Sequence, residues 1–285
     1  MQNFAKLDAQ YNDITIENAT GEFKAQIPQT QILYDFEKTP DGLWSGPGSF
    51  SVKNLTGAIG GPDKASFKMA ELKADFSMDR YNPVALTQYR TKLSKLMNDI
   101  AVEPAPEPQT GAQSVPPQHT AEIADAIIDL ILNSSNAFRT DYTVSGIEIS
   151  HTDAKGASQN AKVDKGFLGV DMSGFNSGKV AMGIRLGFDG LSMNPVTPGY
   201  EGTLPTAMNI DLAFRDIPAR QLAELGKNTI AGISAQPEMA SMAGLSLMMK
   251  TPAILSQAGT ALDVKNNFIS GPDFRFDING QARAD

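Results

Sequence analysis

From Lys6 to Met78 apolar and polar residues alternate with a period of two. Leu7, Ala9 and Tyr11 alternate with polar neighbours. So do Phe23, Ala25 and Ile27, then Ile32, Tyr34 and Phe36, then Phe50 and Val52, then Leu72, Ala74, Phe76 and Met78. One greasy and one wet face predicts antiparallel sheet with a single apolar side. Asp41-Gly42, Gly46-Pro47-Gly48 and Gly60-Gly61-Pro62 supply turns between the runs. Roughly six strands are expected in this block.

The pattern then changes period. After Asp79 and Pro83, Leu86, Tyr89, Leu93, Leu96, Met97 and Ile100 recur at spacings of three and four, while Arg90, Lys92 and Lys95 are left for water. That is an amphipathic helix with Pro near its start, where the missing N–H costs nothing. Residues 102–118 form a Pro-rich polar linker. A second helix follows over 119–138, apolar except for a thin acidic stripe of Glu122, Asp125 and Asp129.

The same order of elements then recurs. Alternation returns from Thr140 to Phe214, and Asp216 and Pro218 lead into a helix with Leu222, Leu225, Ile230 and Ile233. Between Pro237 and Ala261 only Glu238 and Lys250 are charged. Such a helix must be covered on every side, and Pro252 is expected to kink or end it. Leu262/Val264 and Phe274/Phe276/Ile278 read as closing strands. The fold predicted is α+β: a mostly antiparallel, strongly curved sheet wrapped around apolar helices, in two pseudo-repeats of strands followed by a helix pair. Its segments are 1–101 (strands plus amphipathic helix), 102–118 (linker), 119–138 (apolar helix), 139–258 (second strand block plus helix pair) and 259–285 (closing strands).

Charge and composition narrow the function. A net charge of −8 argues against nucleic acid, which needs a basic face, and against simple docking on anionic lipid. The absence of cysteine removes disulfides, thiolate metal sites and cysteine nucleophiles. It fits either a reducing compartment or a bacterial envelope protein without disulfides. Met1-Gln2-Asn3-Phe4 lacks the basic start and apolar run of a leader. No stretch is long and apolar enough to span a bilayer; Ile123–Leu132 is short and carries Asp125 and Asp129.

Candidate chemistry is sparse. His119 and His151 are the only histidines. His151 and Asp153, two apart at a strand end, share a face as a base and its orienter would, but polar neighbours there more often make a turn. His119, between linker and helix, is expected to be solvated. Gly46-Pro47-Gly48 is not a phosphate loop, no calcium-loop spacing occurs, and a distant carboxylate pair for hydrolysis is the weakest reading. No catalytic residue, metal site or cofactor is therefore assigned.

The positive signal is apolar. The helices carrying Ile127, Ile131, Met242, Leu245, Met248 and Met249 offer more hydrophobic surface than a one-sided contact needs, and methionine adapts to variable apolar shapes. These six are the candidate ligand-binding residues. The bland alternative is that both helices are simply central core.

The segment from Leu204 to Phe214 leading into Ile217-Pro218 and a helix pair, with the closing Phe268-Ile269-Ser270-Gly271-Pro272-Asp273-Phe274 and Ile278-Asn279-Gly280, resembles the β-rich envelope proteins of Gram-negative bacteria, broadly the YdgA- and AsmA-like kind. The resemblance covers the second half best. It implies an exported protein on the periplasmic side, its leader and anchor removed, with lipid handling as its general role. The expected function is thus periplasmic lipid binding or transfer by a non-enzyme. Apolar tails would lie between sheet and helices, and any membrane contact would be transient. A scaffold binding other envelope proteins through edge strands is the alternative.

Overall fold

The computed structural model describes residues 6–61, 63–102, 117–196, 199–236 and 239–285. Period-two segments become strands. In chain order they are β1 (Lys6–Glu17), β2 (Phe23–Asp35), β3 (Glu37–Lys38), β4 (Trp44–Ile59) and β5 (Lys64–Tyr81), then β6 (Ala137–Thr152), β7 (Ser158–Ser173), β8 (Val180–Asp189), β9 (Ser192–Asn194), β10 (Ala207–Ile217), β11 (Ala261–Ser270) and β12 (Arg275–Arg283). The helices are α1 (Pro83–Val102), α2 (Pro117–Asn133), α3 (Ala219–Ala235) and α4 (Ala240–Ala258). The first block holds five strands, one of them only two residues long.

All strands join one curved, open antiparallel sheet in the order β1-β2-β4-β5-β6-β7-β8-β10-β11-β12, with β3 on β4 and β9 on β7. It is therefore an α+β protein whose sheet is a near-perfect meander. Most neighbouring strands are joined by short turns, which keeps closure entropy small at those steps, whereas β5–β6 and β10–β11 are closed across helix pairs.

A line of breaks crosses the first six strands of that order. Ladder pairs flank it: Asn12↔Gln29 and Ile14↔Ile27, Lys53↔Glu71 and Leu55↔Met69, Ser145↔Lys165 and Ile147↔Val163. Between them lie Asp13, Pro28, Asn54, Ala70, Gly146 and Asp164, and Asp13, Asn54 and Gly146 have φ of 56°, 55° and 60°. At each break the apolar alternation changes phase: Tyr11 is followed by Ile14, Val52 by Leu55, Val144 by Ile147. A left-handed residue turns the strand as a bulge does, increasing local twist and bend. The phase change then returns the next apolar side chains to the same face.

The helices cluster at one end of the sheet. α1 and α2 connect the end of β5 to the start of β6, and α3 and α4 connect the end of β10 to the start of β11. α1 packs on α2, α2 on α3 and α3 on α4, and α4 touches β10. Core forms where helices meet strand ends. Phe175 and Val180 are 1% and 2% exposed and pack with Leu132, Ile128, Phe138, Met172, Ile217, Ala219 and Ala223. Phe175 stacks on Phe138 with centroids 6.4 Å apart. Each fully buried large side chain stabilises by roughly 1.5–3 kcal/mol.

Two expectations need correcting. The apolar helix expected over 119–138 ends at Asn133, and Ala137 and Phe138 already belong to β6. The last helical bond is Ser134 N–H to Leu130 O, and at this end the Asn133 side chain donates to the Asp129 carbonyl at 2.9 Å, in a sequence, Asn133-Ser134-Ser135, of weak helix formers. Nor does Pro252 end its helix, since α4 runs on to Ala258. Pro252 has no N–H to donate to the Met248 carbonyl one turn earlier, and the helix continues without that bond. The linker core, 103–116, and the side chain of His119 lie outside the described residues.

Candidate functional site: an open apolar face

Residues directly opposite across a ladder share a face, so the strand registers define rows running the width of the sheet. One row reads Tyr11, Thr30, Val52, Leu72, Val144, Gly166, Phe188, Met208, Ile269, Phe276. The row two residues nearer the helices reads Ala9, Ile32, Phe50, Ala74, Tyr142, Leu168, Leu186, Ile210. Nearly every position is apolar. Rings fold over the cross-strand glycines on this face, Phe76 over Gly48 and Phe67 over Gly57, filling space a Cβ would otherwise take.

The opposite face is wet and charged. Lys73 pairs with Asp75 at 2.8 Å, Arg185 with Asp141 at 2.7 Å, Lys162 with Glu148 at 2.9 Å and Arg215 with Asp263 at 2.8 Å. Asp263 also accepts from Gln281 at 2.7 Å. The Arg215 guanidinium first, then Gln281, hold its carboxyl below the usual carboxylate range. The two faces thus demand different surroundings: ion pairs tolerate water, and the apolar rows lose free energy in it.

Much of the apolar face is open. Tyr142 is 47% exposed, Leu168 43% and Phe276 63%. Its helix end is closed, where α2 and α3 pack against Phe138, Met172 and Val180. Exposed apolar side chains contiguous over several strands make this face the candidate site.

The six residues expected to bind ligand all sit on helix surfaces. Ile127 and Ile131 are 40% and 46% exposed on α2; on α4, Met242, Leu245, Met248 and Met249 are between 59% and 74% exposed. The α4 group recurs at helical spacing and forms one apolar stripe. A recess of about 350 Å³ between β6, β7 and β9, lined by Ile149, Ala161 and Met193 among others, includes none of them. The sheet rows were missed as a site, although their signal lay in the same alternation that predicted the strands.

His151 lies opposite Gln159 across the β6–β7 ladder. Asp153 is occupied in a turn, its Oδ1 accepting the N–H groups of Lys155 and Ala157 at 2.9 and 2.8 Å. That geometry leaves it shaping the β6–β7 hairpin. No described helix is long and apolar enough to cross a membrane. Comparison with family models, curated proteins and solved structures found no match to the chain.

Proposed function

We propose that this chain is a non-catalytic lipid-binding or lipid-transfer protein of the bacterial periplasm, and that the apolar face of its sheet is the surface that takes apolar tails. The observation that carries this reading is the set of apolar rows spanning the sheet, closed at their helix end and half-exposed at Tyr142 and Leu168. Each CH₂ removed from water contributes about 0.8 kcal/mol, so a chain of about sixteen carbons gains on the order of 10 kcal/mol on such a surface.

In this reading the sheet curls around its cargo and the helices plug one end of the trough. Ile127, Ile131, Met242, Leu245, Met248 and Met249 extend the greasy surface past the plug, where transient membrane contact would bring lipid in. The architecture is read as two pseudo-repeats. Arg80 and Asp216, near the ends of β5 and β10, have φ of 53° and 57°, and each stands shortly before a proline and a helix pair. The alternative is an envelope scaffold without a ligand, favoured by the free edges of β1 and β12.

Native mass spectrometry of the purified protein, with lipid extraction, tests the proposal. Co-purified acyl lipid and protection of a fluorescent fatty acid support it; a chain that comes out clean and protects no probe leaves the scaffold.

A further inference from the structure

The two lateral edges of the sheet complement each other. Among the described residues β1 pairs only with β2, and β12 only with β11. β12 has no proline and no left-handed residue to break its edge, and its charges, Arg275, Asp277 and Arg283, all lie on the wet face. Its residues are exposed throughout, with Phe276 at 63% and Ile278 at 66%.

Ten strands lie on the main path, so β1 and β12 run antiparallel within one sheet. The row through Leu7, Tyr34, Gly48, Phe76, Thr140, Val170, Ile184, Leu212 and Val264 ends at Gly280. Leu7 and Gly280 are therefore level across the whole molecule.

We propose that the chain associates head to tail with a second copy of itself, β12 of one protomer adding to β1 of the next, so that sheet and apolar face continue across the junction. Keeping the row level places Gly280 opposite Leu7 of the next copy, Ile278 opposite Ala9 and Phe276 opposite Tyr11, all on the apolar face. On the wet face Gln281 meets Lys6, Asn279 meets Asp8, Asp277 meets Gln10 and Arg275 meets Asn12. No like charges face each other. The lengths also fit: β12 begins at Arg275, opposite Asn12, one residue before the left-handed Asp13 would bend the partner strand away.

Pairing like edges fits worse. Two β12 strands at full overlap set Arg275 against Arg283 at both ends, a destabilising cross-strand pair. Two β1 strands at full overlap set the bend at Asp13 against the straight run at Gln10. A head-to-tail contact is heterologous, so it builds chains or closed rings instead of stopping at a dimer. It needs only the sheet and does not depend on whether the apolar face takes a lipid.

The chain has no cysteine, so disulfide mapping has no background. Opposed residues in an antiparallel pair lie within the Cα separation a disulfide spans. A chain carrying both Ala9→Cys and Ile278→Cys, oxidised with diamide, is expected to give a ladder of dimer, trimer and longer species on a non-reducing gel. Either single variant is expected to give far less product. In sedimentation velocity Gln10→Glu, facing Asp277, should raise the concentration for half-association about two- to fivefold, and Gln10→Lys should lower it by a similar factor. Wild-type protein that stays monomeric at the highest concentration, with no ladder from the double variant, overturns the proposal. Equal crosslinking by a single variant also overturns it, because like edges would then be meeting.

Discussion

Lys227 on α3 donates to Asp129 on α2 at 2.9 Å and lies 3.7 Å from Asp125, tying together the helix pairs that follow the two strand blocks. The acidic stripe of α2 thus faces a cation on a neighbouring helix. Lys227 is one-quarter exposed and Asp129 about one-third, so solvent screens part of the attraction. Lys227→Met is expected to destabilise the fold by about 0.5–1 kcal/mol in urea unfolding.

The pH dependence of that pair has a definite sign. The hydrogen bond to Asp129 holds the Lys227 ammonium above its ordinary value of 10.5. Its contribution is complete below that value and lost as pH rises through the folded one. Wild type should therefore lose Tm more steeply than Lys227→Met above about pH 10.5. Parallel curves for the two proteins would contradict the pairing.

The acid limb belongs to Asp263, on the wet face between Arg215 and Gln281. Its carboxyl sits below the ordinary 3.8, so its stabilisation is present above that value and lost as pH falls through the folded one. Asp263→Asn should flatten the fall of Tm below about pH 4. An unchanged acid limb in the variant would assign that loss of stability to other carboxylates.

Phe175 joins helices to sheet, 1% exposed and stacked on Phe138. Phe175→Ala removes a ring from the cluster in which α2 and the strand ends share core. A loss of about 3–5 kcal/mol in equilibrium unfolding is expected, and a loss under 1 kcal/mol would contradict that role.

Charges placed on the two faces should act differently. Tyr142→Lys and Leu168→Lys put ammonium groups on half-open apolar positions and are expected to abolish uptake of a fluorescent fatty acid while the chain still folds. Ser77→Asp, opposite Arg139 on the wet face, should leave uptake unchanged. Met248→Gln and Met249→Gln on the exposed stripe of α4 should shift stability by no more than about 0.5 kcal/mol and slow uptake from vesicles. Equal loss of uptake from both faces would remove the apolar face as the site.

Strand identity was legible because alternation is a local property: Leu72, Ala74, Phe76 and Met78 announce β5 without help from any other segment. Helices were equally visible at three- and four-residue spacing. The line of breaks was also written in the chain, as the three-residue gaps between Tyr11 and Ile14, Val52 and Leu55, and Val144 and Ile147. Its meaning was hidden, since only the registers show that Asp13, Asn54 and Gly146 align across separate strands. The apolar helices stand out in the sequence because Lys250 is the one charged residue of α4, whereas Tyr142 and Leu168 each look like one side of an ordinary strand. That their face stays open depends on where α1–α4 come to rest, a tertiary fact that periodicity does not encode.

The central claim is that apolar tails lie along the sheet. Site-specific photocrosslinking tests it most directly, with a benzophenone side chain placed at Leu168 on the apolar face or at Ser77 on the wet face, in protein incubated with acyl-labelled phospholipid vesicles. Strong labelling from position 168 and none from position 77 is the predicted result. Equal labelling from both positions, or none from 168 while a partner protein is captured at the sheet edges, would contradict it.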